Sequence, residues 1–257
     1  MLISKRLRFV ISSLVLSAGF VWLQFIDDSF KFVAIAILVI LTGISSVWSF
    51  YEGLGKNMTL LSLVLPMLFT LGVGIFWFLL PSSIYTQIPI VIFYGLGLYV
   101  LSTTMNIYTV SSQKTIALLR AARGVGFVLT LATSFLVFDA ILSVRQSIFI
   151  SAPLIFTSSL LLMLQGLWSI ELEKEFDKNI FVTSLISSLI ITELGILIFF
   201  WPVTVVVGSL FLTSGVYLLL GLGQAKLEDR LFPSVVREYL TVGLIVLVGM
   251  FFATRWG

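Results

Sequence analysis

Long apolar runs alternate with short polar segments along the whole chain. Most runs contain about 20 residues, which an α-helix needs to cross about 30 Å of hydrocarbon. The polar segments are too short to fold as soluble domains. The pattern therefore predicts an all-α, polytopic integral membrane protein of about nine transmembrane helices, at 9–26, 32–51, 58–80, 88–110, 124–143, 148–169, 180–201, 203–223 and 239–254.

Two places leave the helix count open between nine and eight. The turn at Trp201-Pro202 is tight, and the last run is short. The basic N-terminal residues resemble the start of a signal peptide, but the apolar run after them lacks a clear small-residue cleavage pattern. We therefore interpret it as an uncleaved first helix.

Lysine and arginine are distributed unevenly between alternate polar segments. If the N-terminus is inside, the inner segments hold 12 of the 15 basic residues and the outer segments hold Lys31, Arg145 and Arg255. Because basic residues concentrate on the cytoplasmic side of spanning helices, this predicts a cytoplasmic-type membrane with the N-terminus inside. An odd number of spans then places the C-terminus outside.

Composition supports the membrane environment and excludes several kinds of chemistry. The chain is 59% hydrophobic and 11% charged, with a mean hydropathy of +1.16. Soluble domains carry about 25% charged residues, so water cannot be the main solvent here. The chain contains neither cysteine nor histidine, which excludes disulfides, thiolate nucleophiles and imidazole catalysis. We predict no metal, no cofactor and no nucleic acid partner.

The sequence also suggests an internal duplication. GLYVL at 97–101 resembles GVYLL at 215–219, and Trp48-Ser49 recurs as Trp168-Ser169. We predict one membrane domain of two parallel four-helix repeats, at about 8–123 and 124–238, followed by a final helix in 239–257. Coincidental similarity between apolar sequences is the alternative. Parallel repeats occur in some transporters and also in inert scaffolds.

Two acidic residues fall inside predicted spans. Glu193 stands alone in SSLIITELGILIFF at 187–200, and Asp139 lies in SFLVFDAILSVR at 134–145. A carboxyl in a membrane commonly marks an ion path, a proton relay or a buried partner. The alternative for Glu193 is a quiet hydrogen bond to a serine or threonine. Asp139 lies either at a similar depth, where both carboxyls could share a proton or cation, or at the outer interface.

Charged loops supply the remaining candidates. Arg120 and Arg123 are three residues apart in SSQKTIALLRAARG at 111–124, so on a helix they share a face and could bind a lipid phosphate or an acidic partner. The alternative is a simple cytoplasmic anchor. The acidic segment ELEKEFDKN at 171–179 is either solvated or binds a basic partner.

The acidic pair Asp27-Asp28 follows the first predicted span, in IDDSFK at 26–31. This pair resembles the catalytic loop of membrane glycosyltransferases that use polyprenyl-linked sugars. The resemblance covers two residues, and the large outer loops of those enzymes are missing. It implies, as the weakest alternative, an enzyme that acts on a lipid-linked substrate at the outer face.

Three functional hypotheses follow. The leading one is a non-catalytic scaffold or accessory subunit that packs with membrane lipids, a protein partner or further copies of itself, because the spans contain few charged groups and many small residues. The second is a small proton- or cation-coupled secondary transporter that uses Glu193. The third is the lipid-linked enzyme.

Overall fold

The computed structural model describes residues 4–55, 58–79, 84–112, 117–173 and 175–254. Within these ranges every regular element is helical, which confirms the predicted all-α fold. Short 3-10 helices at Leu23–Phe25, Asp28–Phe30 and Met58–Leu63 precede α2 and α3. The α-helices of the described ranges are α1 Lys5–Trp22, α2 Lys31–Phe50, α3 Val64–Phe78, α4 Ile84–Ser111, α5 Leu119–Ser143, α6 Ile148–Glu171, α7 Lys178–Phe199, α8 Val205–Leu227 and α9 Pro233–Ala253.

Each predicted span corresponds to one of these helices, with shifts at the ends. The third span begins as a 3-10 helix and becomes α-helical at Val64. Pro66 lies near the start of α3, where a residue without a backbone N–H is tolerated. The fifth span begins at Leu119 rather than at 124, so Arg120 and Arg123 belong to α5 itself.

Eight helices in the described ranges are long and apolar enough to cross a membrane, if Met58–Phe78 is counted as one. The remaining helix, α1, has 18 residues and includes Lys5, Arg6 and Arg8 in its first turn. These cations lower its apolar character, which explains the two possible counts. Lys56, Lys114, Lys174 and Arg255 lie outside the described residues, and the orientation stays a prediction.

The chain divides into two compact units, residues 1–129 and 130–257, with the boundary inside α5. The predicted duplication also divides the chain in this region, at 123/124. The duplication itself stays a prediction, because compactness does not test sequence repetition.

In the first unit, α1 packs on α2 and α4, while α3 packs on both α2 and α4. Aromatic rings fill the space between these helices: Phe20 lies 4.6 Å from Tyr94 and 5.0 Å from Trp77 between ring centroids. Hydroxyl groups join three helices, with Thr70 Oγ1 3.1 Å from Thr42 Oγ1 and 3.2 Å from the Tyr94 hydroxyl. The buried polar groups of this unit therefore help to fix the helix positions.

In the second unit, α6 packs on α7 and α8, and α9 packs on α8. Glycine permits the close approach of α8 and α9: a Cβ at Gly221 would lie 2.2 Å from the Tyr239 ring. The α9 span is otherwise mostly exposed, with 6% of it buried. This helix therefore presents most of its apolar surface to lipid or to a partner.

Candidate functional site

Glu193 lies on the exposed surface of α7. It is 15 residues from the first residue of the helix, Lys178, and six residues from the last, Phe199. At about 1.5 Å per residue, the carboxyl-bearing residue is about 9 Å from the nearer end. A glutamate side chain is too short to cover that distance along an apolar surface, so the carboxyl stays within the span.

The residues around Glu193 form a regular exposed stripe. At 100° per residue they lie within about 60° of Glu193 around the helix. All of them are exposed. We call these residues the α7 seam: Val182, Ile186, Leu189, Ile190, Glu193 and Leu197.

The opposite face of α7 is the one that packs inside the unit. Its buried residues include Ser184, Ser188, Ile191, Gly195 and Ile198. At 100° per residue these lie half a turn around the helix from the seam. The α7 seam therefore points away from the interior of the unit along its whole length.

Glu193 has no hydrogen bond or ion pair with any residue in the described part of the chain. The alternative of a quiet hydrogen bond to a serine or threonine is therefore not seen among the described residues, and it stays an alternative. A charged side chain costs roughly 2.5–3.5 kcal/mol at the centre of a spanning helix, and less toward the ends. A lipid tail offers no hydrogen bond that could offset this cost.

Asp139 has the opposite environment. It lies in α5, four residues before the helix ends at Ser143, and it is 3% exposed. Its Oδ1 accepts a hydrogen bond from the Ser209 hydroxyl of α8, at 3.2 Å. The same hydroxyl lies 3.0 Å from the Val206 carbonyl. Since Asp139 is buried and Glu193 is exposed, the two carboxyls are not brought together.

A cavity of about 720 Å³ lies near this pair, between the α5–α6 turn and the α7–α8 turn. Leu142 and Val205 line it, and each lies about one helical turn from Asp139 or Ser209. Next to the cavity, the side chains of Ile198 and Leu142 pack closely against Gly208, since a Cβ there would lie 3.0 Å from Ile198 and 3.3 Å from Leu142. A thin apolar layer therefore separates the cavity from the buried carboxyl.

The two candidate arginines occupy the first turns of α5, in the first unit. Arg120 is exposed and Arg123 is half-buried. Both lie in α5 three residues apart, so they share a face of this long helix and not of a separate short one. Their predicted contact with a lipid phosphate or an acidic partner stays a prediction.

The acidic segment after α6 makes hydrogen bonds that fix the end of α6 and the start of α7. Trp168 donates its indole N–H to the Glu173 carbonyl at 2.9 Å, and the Asp177 carboxylate caps α7 by accepting from the Asn179 N–H at 2.7 Å. Glu171 and Glu175 are exposed. The segment therefore has structural contacts and also leaves carboxylates available to a partner.

Sequence reasoning missed one ion-pair cluster. Arg8 is 2% exposed and donates to the Trp48 carbonyl at 3.2 Å and to the Glu52 carboxylate. Lys5 lies 3.8 Å from the other oxygen of Glu52. The hydrogen bond from Arg8 lowers the pKa of Glu52 below its ordinary value. No sequence signal distinguishes Arg8 from the basic residues beside it, which are counted only toward membrane orientation.

Asp27 is exposed, and the side chain of Asp28 is outside the described residues. Ile26 and Phe30, on either side of this pair, line an apolar groove of about 290 Å³ between α1 and α2. The groove could hold an acyl chain, which is also true of many membrane protein surfaces. The enzyme alternative stays a prediction.

Comparison with known proteins gives one result. A family described as "Protein of unknown function (DUF5656)" matches residues 11–253. No curated protein and no solved structure matches the chain.

Proposed function

The chain belongs to the DUF5656 family, and we propose that it is a non-catalytic integral membrane protein, a scaffold or accessory subunit, that binds other membrane helices through the α7 seam. The exposed position of Glu193 is the observation that supports this most. A carboxyl on a lipid-facing surface is unfavourable, and a helix that supplies a hydrogen bond removes that cost. An exposed glutamate at this depth is therefore expected where a second membrane helix hydrogen-bonds to its carboxyl.

The surrounding surface fits the same role. The α7 seam offers a stripe of exposed apolar residues on both sides of Glu193. In the predicted orientation, with the N-terminus in the cytoplasm, Glu193 lies in the outer half of the membrane. Arg120, Arg123 and the acidic segment at 171–177 would then contact lipid headgroups or a partner on the cytoplasmic side.

The test is native mass spectrometry of the protein released from its own membrane in lipid particles. We expect a mass above the 28.5 kDa of one chain. Glu193→Leu should reduce the heavier species, whereas Leu244→Ala on the exposed face of α9 should not. Observation of one bare chain in every preparation, with wild-type protein, would contradict the proposal.

A second candidate function is a proton site at Asp139, which transfers the transporter hypothesis from Glu193 to a buried residue. The Ser209 hydroxyl has one hydrogen and two acceptors within reach, Asp139 Oδ1 and the Val206 carbonyl. A protonated Asp139 resolves this competition, because it would donate to Ser209 while Ser209 donates to Val206. The nearby cavity ends about one helical turn from Asp139 and Ser209, and a proton would have to cross the apolar layer between the cavity and the carboxyl.

Proton flux into sealed vesicles tests this second candidate. Reconstituted wild-type protein should dissipate a pH gradient, and Asp139→Asn should not. Ser134→Ala provides the control, because Ser134 is buried in the same helix and bonds to the Leu131 carbonyl of that helix. Equal flux through wild-type protein and Asp139→Asn would exclude the proton site.

A further inference from the structure

We propose that the cavity between the α5–α6 turn and the α7–α8 turn binds a phosphate group, that of a phospholipid headgroup. This cavity, here called the turn cavity, has a volume of about 720 Å³ and is lined by residues within 142–151 and 198–205. The described residues that line it include none of the α7 seam, so the proposal does not depend on that surface. It rests on an arginine, on two helix starts and on a buried hydroxyl.

Arg145 gives the turn cavity a positive charge that no described group balances. Its side chain is exposed, and the described residues that line the cavity beside it are not acidic. The ion pairs of the described chain do not include Arg145. The predicted orientation places this turn on the outer side, where basic residues are rare, so orientation gives no reason for an arginine here. A cation without a counter-ion at this place favours an anionic ligand.

Two long helices begin at the turn cavity and add to its positive field. Ser147 and Thr204, the N-cap residues of α6 and α8, both line it. The N-terminus of a helix carries about half a positive charge, and its first backbone N–H groups have no partner within the helix. In the described chain, no group accepts from the first two N–H groups of either helix. Phosphate groups commonly bind at such helix starts.

A buried hydroxyl in the turn cavity lacks a good partner. Ser151 lines the cavity and is 7% exposed, and its one contact among the described residues is with the Gln146 carbonyl at 3.4 Å. An O–H···O hydrogen bond measures about 2.5–3.0 Å, so this contact is too long to satisfy the hydroxyl. Because buried polar groups nearly always have a hydrogen-bond partner, this one indicates a ligand oxygen that accepts from Ser151.

The place of the turn cavity favours a phospholipid over a free phosphate ion. It lies between the ends of helices that are long enough to span a membrane, which is the depth of the lipid headgroups. Its volume is that of a small-molecule site and exceeds what a phosphate ion alone would fill. Phe199 lines the cavity, and Phe149 and Phe200 lie next to lining residues; all three are exposed. Acyl chains would contact these rings while Arg145 and Ser151 bind the phosphate, since a guanidinium pairs well with phosphate oxygens.

Native mass spectrometry of the full chain in a phosphate-free, non-ionic detergent tests the proposal, because it counts the bound lipid directly. The probe is dihexanoyl phosphatidic acid, added in increasing concentration. We expect one tightly bound molecule per chain. Dihexanoyl glycerol has the same acyl chains without the phosphate and should not bind at the same concentrations. If wild-type protein binds neither lipid, or binds both equally, the proposal is overturned.

Variants locate the binding site. Arg145→Gln should weaken the binding of phosphatidic acid by about tenfold or more, because it removes a charge-assisted hydrogen bond. Arg237→Gln is the matched control: Arg237 is exposed on α9 of the same unit and is not among the described residues that line the turn cavity. If Arg145→Gln binds as tightly as wild-type protein, or Arg237→Gln loses as much affinity, the turn cavity is not the site.

The buried hydroxyl has its own pair of variants. Ser151→Ala should weaken binding by about threefold, the effect of one lost neutral hydrogen bond. Ser158→Ala should not, because Ser158 is buried in the same helix and its hydroxyl bonds to the Leu154 carbonyl at 2.7 Å. Equal affinities for these two variants would show that Ser151 does not contact the ligand.

Inorganic phosphate identifies the source of the phosphate group. Weaker binding of inorganic phosphate than of phosphatidic acid, with both reduced by Arg145→Gln, supports the phospholipid. If inorganic phosphate binds as tightly as phosphatidic acid and depends on Arg145 in the same way, the cavity binds a free anion and the phospholipid is overturned. Without any ligand, Arg145→Gln should unfold at the wild-type temperature, because the exposed guanidinium has no partner in the described chain.

Discussion

Ser209→Ala is the most informative single change in the second unit. Ser209 is fully buried in α8, and its hydroxyl is the one hydrogen-bond partner of Asp139 among the described residues. Alanine removes the oxygen and little volume. The buried Asp139 carboxyl is then left without a hydrogen bond from any described residue.

The magnitude follows from the environment of the two groups. A hydrogen bond between membrane helices contributes about 0.6 kcal/mol on average and up to about 1.7 kcal/mol. Leaving a buried polar group unsatisfied costs roughly 1–3 kcal/mol. Because Asp139 is 3% exposed, water does not replace the lost contact, and we expect a loss of about 1–2 kcal/mol in the free energy of unfolding. Asp139→Asn should cost less than about 0.5 kcal/mol if the carboxyl is protonated, because the amide can donate to Ser209 in the same way.

The assay is reversible unfolding in mixed detergent micelles, followed by circular dichroism and tryptophan fluorescence. Ser188→Ala is the matched control: Ser188 is buried in the same unit, but its hydroxyl bonds to the Leu185 carbonyl of its own helix. We expect the control to stay within about 0.5 kcal/mol of wild-type stability. The reasoning is refuted if Ser209→Ala is as stable as the control, or if Asp139→Asn loses more stability than Ser209→Ala.

Two further changes test the packing and the ion-pair cluster. Gly221→Ala should lower the free energy of unfolding by about 1–3 kcal/mol, because the new Cβ would overlap the Tyr239 ring. Gly249→Ala is the control, because no atom lies within 4 Å of its new Cβ. It should be neutral or should raise the free energy of unfolding by up to about 1 kcal/mol. Glu52 has a pKa below its ordinary value of 4.5, so its ion pair with Arg8 should stabilise the fold above pH 4.5 and lose that effect as the pH falls through the lowered pKa. Thermal unfolding midpoints of wild-type protein should therefore converge with those of Glu52→Gln in acid; a constant difference at every pH would contradict the ion pair.

The approximate positions of the helices follow from the sequence alone. Each span is an apolar run of about the length that crosses a membrane, and an α-helix satisfies the backbone hydrogen bonds of such a run within the run itself. The ends were less predictable. The start of α5 at Leu119 was missed because its polar first turns resemble a loop, although Arg120 and Arg123 continue the helix.

The environment of each polar residue was decided by the tertiary structure. Sequence reasoning identified Glu193 as a carboxyl within a span and left Asp139 either within a span or at the outer interface. Only the structure places Glu193 on an exposed face and Asp139 against Ser209. The physical reason lies in the solvent. In water the inner face of a helix is apolar and the outer face is polar, so periodicity identifies the inside. In lipid both faces are apolar, and the chain therefore specifies that a helix spans the membrane without specifying which of its faces turns inward.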